Sequence, residues 1–119
     1  MKPLGWIGSA KDDLLAFPAE VVREIGYALY VAQLGGKHAS VKPMKGFGSA
    51  GVLEAVEDHD GDTFRAVYTV RFSEVVYVLH AFQKKAKRGI ATPRPEMDKI
   101  VARLKRAEEE YEQWKKRNP

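Results

Sequence analysis

The chain has no cysteine, which excludes disulfide staples and thiolate chemistry and leaves the fold to rest on packing alone. Histidine is scarce too. His38, His59 and His80 are scattered, and without cysteine they form no recognisable metal-ligand spacing, so neither a metal nor another cofactor is expected. No apolar run approaches the ~20 residues of a membrane span. The opening MKPLGWIGSAKDD lacks the unbroken apolar stretch of a signal peptide. These absences lead to the expectation of a soluble, cytoplasmic protein with no membrane partner. No internal repeat or low-complexity segment is apparent. What remains is 119 residues with 45% hydrophobic content, which suits a single domain over 1–119 built around one core.

Net charge is +4, and its distribution is uneven. Up to Gln83 there are eight Lys/Arg against ten Asp/Glu, whereas from Lys84 onward there are twelve against six. The segment VVYVLHAFQKKAKRGIATPRP, from Val75 to Pro95, marks the change. An apolar strand ends in Lys84, Lys85, Lys87 and Arg88, close to His80, and Gly89 and Pro93 let the chain turn away. A basic cluster at a rigid strand end suits phosphate, and the excess of cations draws polyanions such as RNA. A solvated helix face is the plainer explanation of such a run, but no acid neutralises these four cations within it.

The spacing predicts a short helix from Ala10 to Phe17, N-capped by Ser9, with Asp12 and Asp13 in its first turn. Pro18 opens a second helix in which Val21, Val22, Ile25, Leu29 and Ala32 recur at helical spacing as far as Gly35-Gly36. The two are expected to form a hairpin. Leu4 to Ile7 fits a short edge strand flanked by two glycines. After a loop from Lys37 to Gly51 the period falls to two, giving strands Val52 to Glu57, Thr63 to Phe72 and Glu74 to Phe82 in an antiparallel meander. Asp60-Gly61 makes the first turn and Ser73 the second. On the middle strand, Phe64, Ala66, Tyr68, Val70 and Phe72 should face the helices, leaving Arg65 and Arg71 open on the other side. A last helix, Pro95 to about Lys116, carries the stripe Met97, Ile100, Val101, Leu104, Ala107, Tyr111 and Trp114. The far end of that stripe suits either a partner or the core.

This order of elements, with FRAVYTVRF, VVYVLHAFQKK and ATPRPEMDKIVARLKRAEEEY, resembles the RelE/HigB superfamily of toxins from bacterial toxin–antitoxin pairs, in its phage-derived branch. The resemblance runs from the first helix to about Tyr111. It implies an α+β RelE-like fold: an N-terminal helical hairpin packed on a small antiparallel sheet, with a long C-terminal helix. It also implies a type II toxin that cuts mRNA on the ribosome, held inactive by a cognate antitoxin of helix-turn-helix type. Relatives place an arginine where Arg65 stands and a basic residue just past the last strand, where Lys84 and Lys85 stand. The HigB-like branch often has a cation two positions after the acid of its first meander strand. Here Val56 follows Glu54, and Lys42 and Lys45 in the preceding loop are the residues that could replace it.

Metal-free RNA cleavage uses the 2′-hydroxyl as nucleophile, so one proton must leave, another must be supplied, and a dianionic transition state must be stabilised. Arg65 suits the stabilising role because a guanidinium keeps its charge and forks onto phosphate. Lys84 or Lys85 suits the proton donor, since crowded cations lower a lysine's pKa. His80 is a candidate acid or base, or else a core histidine sharing a face with Val76, Val78 and Phe82 under regular alternation. Lys42, Lys45, Arg71, Lys87 and Arg88 are candidate RNA contacts. Glu54 is expected to pair with Arg65 or Arg71 across strands in a structural role. Two other functions stay open: a ParE-like gyrase poison, and a non-catalytic nucleic-acid-binding phage-derived protein.

Overall fold

The computed structural model describes residues 1–84 and 92–119. In chain order it contains β1 (Leu4–Trp6), α1 (Ala10–Leu15), α2 (Ala19–Gln33), β2 (Val41–Pro43), β3 (Val52–His59), β4 (Asp62–Thr69), β5 (Val76–Lys84) and α3 (Arg94–Arg117). The five strands form one sheet in the order β1-β5-β4-β3-β2.

This corrects the expected architecture in two ways. The sheet is mixed, because β1 precedes the helices and runs parallel to β5, with Leu4 beside Val76 and Trp6 beside Val78. No tight turn joins parallel strands, and the connection from β1 to β5 runs through α1, α2 and the whole β2–β4 meander. The two helices thus follow a strand instead of opening the fold, and they pack on the sheet separately, α1 mainly on β5 and α2 on β3. The glycine that argues against a strand at Leu4–Trp6 is what lets β1 dock. A Cβ on Gly5 would stand 2.4 Å from the Tyr77 ring, so only glycine admits that ring against the β1 backbone.

The second correction concerns the other sheet face. Phe64, Ala66 and Tyr68 do face α1 and α2, in a core with Leu14, Val21, Ile25 and Leu29. The opposite face is covered as well. Ile100, Ala107 and Tyr111 of α3 pack there on Val67, Tyr77, Leu79 and Phe82, so Val67 and Thr69 are fully buried. The chain is thus layered helix, sheet, helix, with a core on each side. Tyr111 and Trp114 stack at 6.1 Å and finish the second core, while Val101 of the expected stripe is exposed.

Local signals explain most boundaries. The β3–β4 hairpin turns through Asp60 and Gly61, both at positive φ, as a two-residue loop with this chemistry requires. Pro18 and Pro93 precede α2 and α3, and Lys115, Lys116 and Arg117 complement the dipole at the end of α3. Ser9 stands at the N-cap position of α1 as expected, but its hydroxyl donates to the Asp13 carboxylate at 2.7 Å and accepts no bond from the backbone of the first turn. β2 falls within the expected loop, and β5 begins at Val76 after a longer connection than a tight turn at Ser73.

Candidate nucleic-acid interface

The α3-side face of the sheet carries two groups of ionisable side chains. At the end of β4, Thr63, Arg65 and Val67 stand opposite Lys84, Phe82 and His80 of β5. On the other flank Arg65 faces Val56 of β3, and Glu54 faces Lys42 of β2. Arg65 donates through Nη1 to Glu54 Oε1, and Lys42 Nζ approaches the same oxygen at 3.6 Å. Of the two expected partners, Arg71 and Arg65, Glu54 pairs with Arg65, and Lys42 lies beside the same carboxylate. Glu54 is buried, Arg65 keeps 14% of its side chain exposed, and Lys42 is open to solvent.

Lys84 joins this group from β5 and is only 6% exposed. Burial pushes its ammonium below the ordinary lysine range; Arg65 and, less strongly, Lys42 act in the same direction, and Glu54 opposes them. Two cations, Arg65 and Lys42, thus meet one carboxylate, and Lys84 stands opposite Thr63 on the same face. The Nε of Arg65 is buried without a hydrogen-bond partner among the described residues, so the guanidinium retains donor capacity. The next carboxylate along this face, Asp58, accepts from the Thr63 hydroxyl at 2.9 Å.

His80 belongs to a different constellation. It is 3% exposed, beneath the start of α3. Arg103 Nη1 lies 3.0 Å from His80 Nδ1 and Glu96 Oε2 lies 2.8 Å from Nε2. A guanidinium only donates, so Nδ1 accepts, and the ring proton sits on Nε2 and is given to Glu96. Burial holds the His80 pKa below its usual value, against the pull of Glu96. Arg103 also donates to the Leu79 carbonyl at 3.0 Å and to Ser9 Oγ at 3.2 Å.

The remaining expected contacts are dispersed. Arg71 lies past the far end of β4, exposed, with its guanidinium 5.9 Å from the centre of the Phe72 ring. Lys45 is exposed in the connection after β2. Lys85, Lys87 and Arg88 lie outside the described residues. Among the described residues no cluster of His, Asp and Glu could hold a metal ion, and no helix is long and apolar enough to cross a membrane. Sequence reasoning gave Glu54 a structural pairing role, and the structure shows its ion pair with Arg65, with Lys42 beside it across the β2–β3 pair.

A family model described as phage-derived protein Gp49-like matches residues 12–105, and the chain belongs to that family. The family is part of the RelE/HigB-like toxin clan, whose RelE-like toxins include endoribonucleases. No curated protein matches the chain.

Proposed function

We propose that this member of the phage-derived Gp49-like family is the toxin of a type II toxin–antitoxin pair and an endoribonuclease that cuts messenger RNA on the ribosome without a metal. The observation that carries this reading is the meeting of Arg65 and Lys42 on the single carboxylate of Glu54, with buried Lys84 on the same face of the sheet. An RNA phosphate that competes for Arg65 releases Glu54 from its ion pair. The freed carboxylate then accepts the proton of the 2′-hydroxyl as that oxygen attacks phosphorus. Arg65 forks onto the non-bridging oxygens as their charge grows. Lys84, whose proton is loosened by burial and by Arg65, gives it to the departing 5′-oxygen. The products are a 2′,3′-cyclic phosphate and a 5′-hydroxyl, so atoms and protons balance.

His80 serves this reaction through position, since both of its ring nitrogens are engaged by Arg103 and Glu96. Lys42 and Lys45 extend the positive surface along the message, Arg71 adds a separate contact, and Lys87 and Arg88, outside the described residues, are RNA contacts by their place in the sequence alone. The partner is a cognate antitoxin of the helix-turn-helix type. Mapping of message ends after expression tests the reading: new 5′-hydroxyl ends are expected with the wild type and none with Arg65→Ala. Full-length message in cells containing folded wild-type protein would contradict it.

A further inference from the structure

β5 does not alternate regularly. Val76 and Val78 face the α1–α2 core and Tyr77 and Leu79 the α3 core, as period two requires. Beyond them the parity reverses, with Ala81 on the α1–α2 side and Phe82 on the α3 side. The cause is a bulge: Tyr68 pairs with Val78 and Val67 with His80, so Leu79 is an extra residue with no partner of its own on β4. Everything after it is turned over. Lys84 therefore shares the α3-side face with Phe82 and Arg65, while Gln83 takes the opposite, exposed side. A regular strand of the same sequence would set Leu79 against Val67 and rotate Lys84 away from Arg65.

One side chain is bound to this bulge from outside the sheet. Arg103 donates from the same nitrogen to the Leu79 carbonyl and to His80 Nδ1, the two residues at which the parity changes, and from Nη2 to Ser9. Gly8 makes room for it: φ there is +57° and a Cβ would lie 3.0 Å from the guanidinium. His80 passes the constraint along the strand, with its ring stacked on Phe82 at 5.1 Å between centres, and Phe82 stands opposite Arg65.

We propose that the bulge in β5, pinned by Arg103 and His80, is the device that delivers Lys84 to the face of Arg65 and Glu54, making Arg103 and His80 positioning residues for the site. The functional half of this inference rests on the nuclease reading; the register half does not. Two measurements on the full chain separate them. The first is acylation by an amine-reactive reagent, read lysine by lysine in a mass spectrometer. Wild-type Lys84 is expected to react slowly; in Arg103→Met it should react as fast as exposed Lys42, because the strand end slips by one residue, Gln83 moves opposite Thr63, and Lys84 turns to the outward side of the sheet on which Gln83 now lies. The second is cleavage, expected to fall about 100-fold in kcat in Arg103→Met, as for loss of a transition-state contact, with the far-UV spectrum intact.

The decisive variant combines Arg103→Met with removal of Leu79. Without the extra residue a regular strand again places His80 opposite Val67 and Lys84 on the Arg65 face, so Lys84 protection and cleavage should both return. A role confined to stability predicts the reverse, since loss of a fully buried leucine adds to the damage. Lys84 still protected in folded Arg103→Met overturns the inference, as does a folded double variant in which Lys84 stays reactive. Should the double variant not fold, acylation of Arg103→Met alone decides the register. A wild type that cuts no RNA while its lysines follow the predicted pattern refutes the nuclease reading and leaves the register device standing.

Discussion

Two ionic groups lie on one face of the same sheet, and they are finished differently. Around His80, donors and acceptors match: Arg103 gives, the imidazole takes and gives again, and Glu96 receives. Around Glu54, Arg65 and Lys42 share one carboxylate, buried Lys84 stands on the same face, and the Nε of Arg65 has no described partner. A closed network fixes geometry. A buried guanidinium nitrogen without a described partner can still take an anion, and under the proposed function that difference gives structure to one group and chemistry to the other.

The largest expected effect comes from breaking the open group. Arg65→Ala should lower kcat by about 10²- to 10³-fold, the usual cost of one oxyanion donor. The same change strands the buried Glu54 carboxylate and should cost about 3 kcal/mol of unfolding free energy in urea. Arg65→Ala with Glu54→Ala should restore most of that stability and none of the cleavage. If activity follows stability back, the site lies elsewhere.

Lys84 offers a sharper contrast, through pH. Its folded pKa is depressed, so as the proton donor it should lose its proton, and kcat should fall, at an alkaline pH below the 10.5 of an ordinary lysine. Lys84→Arg should cut more slowly and show no such fall, because arginine does not titrate there. An unchanged alkaline limb in that variant would remove Lys84 from the donor role.

The closed group should answer to acid. His80 is held neutral in the fold, chiefly by burial, with a pKa below the 6.5 of a free histidine. Between those two values the unfolded chain binds the extra proton, so this contribution to stability is complete above about pH 6.5 and is lost as pH falls through the folded pKa. Urea midpoints should decline from pH 7.5 to 5, and His80→Gln should flatten the decline. A slope identical in the two proteins would show that other groups govern it.

The smallest effect lies on the opposite face. The Tyr68 hydroxyl is buried among apolar groups with no described partner, which pushes its pKa to about 12. Tyr68→Phe should therefore stabilise the protein by about 1 kcal/mol, measured by urea unfolding, and leave cleavage untouched.

Much of this arrangement was legible wherever local chemistry decides it. Asp60-Gly61 fixes a hairpin turn, Pro18 marks the start of α2, and α3 begins at Arg94, one residue before the expected Pro95. The alternation of Phe64, Ala66 and Tyr68 identifies the face toward α1 and α2. Arg65 stood out as a cation on the opposite face of an apolar strand, and its pairing with Glu54 followed from strand spacing. Three features escaped because they depend on partners distant in sequence. A short edge strand at Leu4 to Ile7 was expected, but its parallel pairing with β5 through the Gly5–Tyr77 approach was not. The burial of the Val67 face depends on which side α3 takes. The bulge at Leu79 carries no glycine or proline to announce it, and it is tied down by Arg103, 24 residues further along. That one irregularity separates His80 from Val76 and Val78, with which strict alternation grouped it.

Cleavage of a defined message in a reconstituted translation reaction tests the central claim most directly, using wild type, Arg65→Ala and Lys84→Ala, with and without ribosomes. Cuts that require ribosomes, end in 5′-hydroxyls and disappear in both variants are the predicted result. Intact message in the presence of folded wild-type protein, or cutting that survives both substitutions, would contradict it.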